Sequence, residues 1–206
     1  MAAEITHLVL AEKVFGRHFA DKNKKKFFIG TLFPDIRYLG AIERNKTHFR
    51  NLKLAEIRNE SSFWAGLKFH SFVDENRSRF LRNYPTISEL LVAFRGKKIA
   101  NIDRCLKLLE DELLYKKINN WQMYVKFLDD ILSEELLFNI AKETIKKWHR
   151  MLQNYFSRQP TNEARKKLLL AMGFPESKIK QSNKIINKMK SNEAVCQLVE
   201  DFYDYF

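Results

Sequence analysis

Turn-forming residues are scarce in this sequence, because its 206 residues include only four prolines and six glycines. Proline and glycine are the strongest local signals for turns, and a sandwich of short strands needs many of them. Their scarcity therefore favours long helices over such a sandwich. Cysteine is also rare: Cys105 and Cys196 show no CxxC or metal-ligand spacing and are expected to be reduced, buried thiols, which suits a cytosolic protein.

Long hydrophobic runs are absent as well. The N-terminal segment MAAEITHLVLAEKVFGRHF carries Glu4 and lacks a basic stretch followed by a long apolar one, so it predicts neither a signal peptide nor a membrane span. The expected location is cytoplasmic. Export of the folded protein by a dedicated secretion system would be compatible with the same sequence.

Apolar residues, by contrast, are plentiful: 45% of the chain is hydrophobic and 17 residues are phenylalanine, enough for the core of one domain. Apolar positions recur with the 3.6-residue period, which predicts an all-α fold over residues 1–206. Residues 1–84 hold the candidate ligands, and residues 85–206 form a helical remainder. The predicted helices are 4–20, one beginning at Ser61 or Ser62 and ending at Tyr84-Pro85, then 86–95, 99–117, 121–131, 134–157, 161–172, 176–190 and 192–204, with a polar break at 21–26.

His70 and Asp74 lie four residues apart in the amphipathic segment GLKFHSFVDENR. Positions i and i+4 of a helix lie about 6 Å apart on one face, so an imidazole and a carboxylate there can bind one cation. Zn²⁺ suits this pair, and Mn²⁺ or Fe²⁺ would be acceptable. The alternative is a hydrogen bond between the two side chains, which is the better interpretation of such a pair in isolation.

Two more ligand-type residues precede this helix: Asp35 follows Pro34 in a loop, and His48 follows a polar stretch. Taken together, THLVLAEKVF, GTLFPDIRYLG, KTHF and GLKFHSFVDE resemble the zinc-dependent phospholipase C family, which is related to the single-strand-specific zinc nucleases. A weaker similarity to the acyl-carrier-protein phosphodiesterases rests on an N-terminal His, a loop Asp and the segment GLKFHSFVDE. Both resemblances imply hydrolysis of a phosphodiester.

The phospholipase C resemblance implies a compact multi-helix domain with five metal-ligating positions. These positions are His7, Asp35, His48, His70 and Asp74. The family's later His-x-x-x-Glu pair has no counterpart, because Gln153 stands four residues after His149. The resemblance therefore implies one zinc ion bound by the last four of the five positions, with a second ion possible beside His7.

A metal-dependent phosphodiester hydrolase of this type would use a metal-bound hydroxide as nucleophile, with Asp35 or Asp74 as general base. Its substrate could be a phospholipid, a nucleotide or a phosphopantetheine-linked protein. Arg37 and Arg77 are the predicted phosphate-binding residues, because the planar guanidinium donates two parallel hydrogen bonds to phosphate. Other arginines flank the ligand positions and would also fit a solvated charged rim, among them Arg44, Arg50 and Arg79.

The net charge of +12 supports a hypothesis of a different class. A strongly basic surface attracts nucleic acid or anionic membranes. A non-catalytic protein could keep a structural or vestigial metal site and bind one of these partners through its surface. Two further features predict surface positions: the mixed-charge pattern of Asp103, Glu110 and Asp111, and His149 next to Trp148.

Overall fold

The computed structural model describes residues 3–85, 94 and 99–206, and this part of the chain is all-α, with eleven helices and no strand. The helices are α1 Glu4–His18, α2 Lys24–Leu32, α3 Leu54–Arg58, α4 Ser62–Asn83, α5 Ile99–Leu114, α6 Trp121–Phe127, α7 Ser133–Leu136, α8 Lys142–Phe156, α9 Asn162–Ala171, α10 Glu176–Lys190 and α11 Glu193–Tyr205. Short 3₁₀ helices cover Phe33–Leu39, Arg44–Lys46 and Tyr115–Lys117. The predicted all-α class is confirmed.

Most of the predicted helices agree with the structure, and three segments do not. The polar break at 21–26 ends early, because the side chain of Asn23 accepts a hydrogen bond from the backbone N–H of Lys26 at 3.0 Å and starts α2. The single helix predicted over 134–157 is two helices, separated near Asn139, whose φ is 55°. Helix α6 ends at Phe127, although the prediction extended to 131. The helix predicted over 86–95 lies outside the described residues, apart from position 94.

Helices α2 and α4 pack with their backbones in contact at two glycines. A Cβ atom on Gly30 would overlap the carbonyl of Phe63, and a Cβ atom on Gly66 would overlap the carbonyl of Phe27. Any larger residue at either position would force the helices apart. This close approach places the main chain at the end of α2 beside the ligand-bearing part of α4.

Helix α5 is central in the described fold, since α1, α10 and α11 all pack on it. It also anchors the start of α1: the backbone N–H and the hydroxyl of Thr6 donate hydrogen bonds to Asp111 Oδ1 at 2.8 and 2.9 Å. The hydroxyl of Tyr155 donates to Asp111 Oδ2 at 3.1 Å. The prediction that this face of α5 is exposed was wrong for Glu110 and Asp111, which are both buried.

Two further predictions concern the burial of the cysteines and the absence of membrane-spanning helices. Both cysteines are free; Cys105 is buried as predicted, whereas Cys196 is partly exposed. Among residues 3–85 and 99–206, no helix combines the length and the apolar character needed to cross a bilayer. The buried apolar side chains of the described residues form a continuous cluster.

Candidate metal centre

The structure brings all five predicted ligand positions together. His7 comes from α1, Asp35 from the 3₁₀ helix after α2, His48 from the segment before α3, and His70 and Asp74 from α4. Their exposed fractions range from 1 to 9%. His7, His70 and Asp74 offer ligand atoms within 4.8 Å of one another, and so do Asp35, His48 and His70. We call these five residues the ligand cluster.

The backbone orients the imidazole rings of the cluster. The Nδ1 atom of His7 lies 2.9 Å from the carbonyl of Ala3, and that of His70 lies 3.0 Å from the carbonyl of Thr31. A carbonyl only accepts, so each Nδ1 donates to it, and in the neutral form of each ring Nε2 keeps its lone pair. The Thr31 carbonyl is available because of the close contact between α2 and α4. The two rings stack with centroids 3.8 Å apart and an interplanar angle of 5°.

His48 lies on an irregular segment that is hydrogen-bonded to α4. The backbone N–H of Phe49 donates to Ser71 Oγ at 3.0 Å, and the backbone N–H of Asn51 donates to the Glu75 carboxylate at 2.9 and 3.1 Å. The Nδ1 atom of His48 lies 3.1 Å from the hydroxyl of the preceding threonine. These contacts hold the imidazole against the helix that carries the other ligands, although no regular element contains it.

Buried nitrogen atoms without partners mark the centre of the cluster. The Nε2 atoms of His7, His48 and His70 are buried and have no hydrogen-bond partner among the described residues. They lie 3.4, 3.9 and 3.8 Å from carboxylate oxygens of Asp74, and His70 Nε2 also lies 3.9 Å from Asp35 Oδ2. Tetrahedral zinc with bonds of about 2.0–2.1 Å would put its ligand atoms roughly 3.3 Å apart. The imidazole–carboxylate distances of the cluster are therefore close to those of a zinc site.

Electrostatics favours the metal-binding protonation states of the imidazoles. Burial lowers the pKa of His70 well below its usual value, and neighbouring His7 adds to the effect. Burial, with Arg44, lowers the pKa of His48 to about 4. Both rings are thus neutral at physiological pH, which is the form that binds metal.

The two carboxylates respond differently to their surroundings. Burial alone would raise the pKa of Asp74, but His7 and His70 outweigh it and hold this pKa below its usual value. Burial and the charge of Asp74 raise the pKa of Asp35. Two carboxylates that share a buried site repel each other, and a bound cation relieves that repulsion.

Arg37 lies beside the cluster, on the side of Asp35. Its Nε donates to Asp35 Oδ1 at 3.2 Å, and its Nη2 donates to the hydroxyl of Tyr38 at 2.9 Å. Asp35 and Arg37 line a cavity of about 330 Å³, and Leu168 and Phe174 line the same cavity. The phosphate-binding role of Arg37 stays a prediction, and a phosphate bound by Arg37 would lie in this cavity.

The structure gives no support to phosphate binding by Arg77, whose exposed fraction is 1%. Its Nε and Nη2 donate to the buried carboxylate of Glu110 at 2.6 to 2.9 Å, and its Nη1 donates to Asp103 at 2.8 Å. A guanidinium held in this way joins α4 to α5. Sequence reasoning chose the wrong helix face, because the acidic partners lie on a distant part of the chain.

Asp74 and His48 also line a surface cleft of about 280 Å³, so the cluster borders this cleft. The cleft contains four arginines: Arg44, Arg50, Arg79 and Arg82. Sequence reasoning did not single out Arg82. The signal was available, since positions 74, 78 and 82 follow the i, i+4 row of one helix face.

His149 was predicted to be a partly covered surface residue, and that prediction was wrong. Its ring is buried between α6 and α7: Nδ1 lies 3.1 Å from the carbonyl of Leu128, and Nε2 lies 2.8 Å from Glu135 Oε1. Both nitrogens have partners, so this histidine has a structural role apart from the ligand cluster.

Comparison with known proteins identifies no relative: no family model, no curated protein and no solved structure matches the chain. The resemblance to the zinc-dependent phospholipase C family rests on the four sequence segments quoted above. The chemistry and geometry of the ligand cluster and its cleft are therefore the basis for inferring what the protein does.

Proposed function

We propose that this protein is a metal-dependent phosphodiester hydrolase. One observation carries the proposal: three buried imidazole nitrogens without hydrogen-bond partners among the described residues face two carboxylates beside an open cleft. Leaving such atoms unpaired costs about 1–3 kcal/mol each. A fold that accepts this cost three times at one point is explained by a cation that these nitrogens bind.

The donor set supports zinc as the preferred ion. Imidazole nitrogen and carboxylate oxygen are ligands of Zn²⁺, and they also suit Mn²⁺ and Fe²⁺. Asp35, His48, His70 and Asp74 would bind one ion, and His7 would complete the shell or help bind a second ion. When bound, the cation supplies Lewis-acid polarisation of a phosphoryl oxygen and lowers the pKa of a water ligand.

The positions of the two carboxylates give them different roles. Asp74 lines the cleft and Asp35 does not, so Asp74 is the carboxylate beside a phosphodiester and an attacking water in the cleft. We assign proton acceptance to Asp74 for this reason. Asp35 faces the other cavity and accepts a hydrogen bond from Arg37, so its main task is to bind and balance the cation.

Arg44 is placed to stabilise charge on the substrate. Its Nη2 lies 3.9 Å from Asp74 Oδ2, while its side chain is 49% exposed. A guanidinium in this position can donate to the non-bridging oxygens of a phosphodiester next to the cluster. Arg77, by contrast, is buried in its own ion pairs.

Access to solvent distinguishes a catalytic centre from a structural one. Structural zinc sites are closed by four protein ligands, whereas catalytic sites keep a position open for water or substrate. Two ligand residues of this cluster, His48 and Asp74, line the cleft. This position beside a cleft supports the hydrolase over a site that only stabilises the fold.

The test combines metal analysis with turnover. Protein stripped with a chelator and reloaded with Zn²⁺ or Mn²⁺ should hydrolyse bis(p-nitrophenyl) phosphate. His48→Gln should lose bound metal and reduce turnover by more than about 100-fold. His149→Gln is the matched control, because it removes a buried histidine outside the cluster, and it should keep both metal and turnover.

Two results would oppose this proposal. A protein that binds no divalent cation would contradict the metal centre itself. The second result is stoichiometric metal without turnover of any phosphodiester, with the same metal content in His48→Gln. It would support the non-catalytic basic protein that the net charge also suggests.

A further inference from the structure

The cleft beside the ligand cluster has an unusual lining. Its walls come from the segment between residues 44 and 51 and from one face of α4. Four arginines line it, and the two carboxylates in the same lining are Asp74 and Glu75. Glu75 already accepts the backbone N–H of Asn51, and Asp74 belongs to the ligand cluster. The cleft therefore presents an excess of positive charge toward solvent. We call Arg44, Arg50, Arg79 and Arg82 the arginine cleft.

Helix geometry directs two of these arginines back toward the cluster. Arg82 follows Asp74 by eight residues, which is about 12 Å along the helix axis. Side chains on a helix lean toward its N-terminus, so Arg79 and Arg82 extend from their own turns in the direction of Asp74. The Nε of Arg82 donates to the carbonyl of Ser78 at 3.3 Å, which agrees with this direction for Arg82.

The arginine cleft differs from the buried arginines of the same protein. Arg77 and Arg165 are buried and paired with carboxylates at 2.5 to 2.8 Å. Among the residues that the structure describes, no carboxylate forms an ion pair with Arg50, Arg79 or Arg82. Guanidinium groups that no carboxylate neutralises are available to an incoming anion.

The size and chemistry of the cleft limit what it can bind. At about 280 Å³ it is just below the usual range for small-molecule sites. Its arginine-rich lining does not suit an acyl chain. A compact group with several negative charges fits both properties.

We propose that the arginine cleft binds a second phosphate of the substrate, so that the preferred substrates carry an additional phosphate near the scissile phosphodiester. The statement about substrates rests on the proposed hydrolase function, whereas anion binding by the cleft does not. A phosphorylated nucleotide and a phosphorylated lipid headgroup share this chemistry. The two arms of the turnover experiment distinguish them.

The first experiment measures anion binding without any metal. Chelator-treated protein is titrated with inorganic pyrophosphate in a calorimeter at low ionic strength. The double variant Arg79→Gln/Arg82→Gln should bind at least about tenfold more weakly than the wild type. The control Arg150→Gln/Arg158→Gln loses the same charge from exposed positions outside the cleft, and its affinity should equal that of the wild type. Equal affinity of the wild type and the Arg79/Arg82 variant would overturn the inference.

The second experiment compares turnover within matched pairs by the metal-loaded protein. One pair is thymidylyl-thymidine with and without a 5′-phosphate, and the other is glycerophosphoinositol with and without a 4-phosphate. The phosphorylated member of one pair should have the higher kcat/KM, and the Arg79/Arg82 variant should lose that preference while it still hydrolyses bis(p-nitrophenyl) phosphate.

The outcomes separate the two proposals. Turnover of bis(p-nitrophenyl) phosphate without a preference in either pair would contradict the second-phosphate inference and leave the hydrolase standing. Pyrophosphate binding that depends on Arg79 and Arg82, with no turnover of any substrate, would contradict the hydrolase and leave the anion site standing.

Discussion

Two buried histidines of this protein have the same kind of contact at Nδ1 and different surroundings at Nε2. His70 and His149 each place Nδ1 about 3 Å from a backbone carbonyl, at 3.0 and 3.1 Å. The Nε2 atom of His149 then meets Glu135 at 2.8 Å, whereas that of His70 has no hydrogen-bond partner among the described residues. The first arrangement completes a hydrogen-bonded core. The second leaves a lone pair beside other potential ligands, which is what a metal site requires.

The largest expected difference between the two histidines is the response to metal. Saturating Zn²⁺ should raise the Tm of the wild type, since a ligand at about 1,000 times its Kd stabilises the folded state by about 4 kcal/mol. His70→Gln should abolish this increase, because His70 belongs to both groups of potential ligands. Thermal unfolding with and without Zn²⁺ measures the effect.

His149→Gln provides the other half of this comparison. It should lower the Tm of the metal-free protein, because Glu135 loses a buried partner at a cost of about 1–3 kcal/mol. The increase on adding Zn²⁺ should remain. If His70→Gln responded to Zn²⁺ as the wild type does, the distinction between the two histidines would be wrong.

The next largest expected effect concerns the close contact between α2 and α4, which brings the Thr31 carbonyl to His70. Gly66→Ala should destabilise the protein by about 1–3 kcal/mol, because the new methyl group overlaps the main chain of α2. It should also weaken metal binding by about 10–100-fold, because the Thr31 carbonyl would move away from His70 Nδ1. Urea unfolding and a metal titration measure the two effects.

Gly16→Ala is the matched control, because a Cβ atom there meets nothing within 4 Å. Since alanine is favoured over glycine inside a helix, this variant should be more stable by up to about 1 kcal/mol with unchanged metal affinity. Equal effects at positions 16 and 66 would contradict the backbone contact between α2 and α4.

The smallest expected effect, when compared over one pH unit, concerns Asp111, a buried group that has partners, as His149 does. Burial raises its pKa from 3.8 to about 7. Between about pH 4 and pH 7 the folded state retains a proton that the unfolded state releases, so this group's contribution to stability falls as pH rises. The contribution of Asp111 to the free energy of unfolding should fall by at most about 1.4 kcal/mol per pH unit.

Asp111→Asn should remove this contribution to the pH dependence of the free energy of unfolding, because the amide keeps an acceptor for Thr6 and does not titrate in this range. Chelator-treated wild type and variant are compared by urea unfolding at several pH values. Parallel stability curves for the two proteins would show that the Asp111 carboxyl keeps an ordinary pKa in the fold.

Local patterns in the sequence predicted most of the helices and the pair formed by His70 and Asp74, whereas His7, Asp35 and His48 joined the predicted ligands through the resemblance to the zinc-dependent phospholipase C family. The 3.6-residue period locates α4, and the spacing of His70 and Asp74 places both on one of its faces. The segment between α7 and α8 shows the limit of this approach. Its break near Asn139 occurs without glycine or proline, so periodicity alone continued the helix.

Long-range partners explain the other errors. Arg77 has the right spacing to approach a substrate, yet it is buried because Glu110, 33 residues later, meets it in the core. The mixed charge pattern on α5 is typical of a solvated face. The prediction failed at Glu110 and Asp111 for the same reason, because distant residues meet them in the core. Local sequence shows that a residue is charged, but it does not show which distant group will neutralise that charge.

The hydrogen bonds from His7 and His70 to backbone carbonyls have one more consequence. They fix the rings without help from any ion, inside a scaffold whose stability comes from a large apolar core. Removal of the cation should therefore leave an intact helical framework with a vacant coordination site. One ion could then be exchanged for another by simple dialysis, and the metal found in a given preparation would reflect which ions the cell or the buffer supplied.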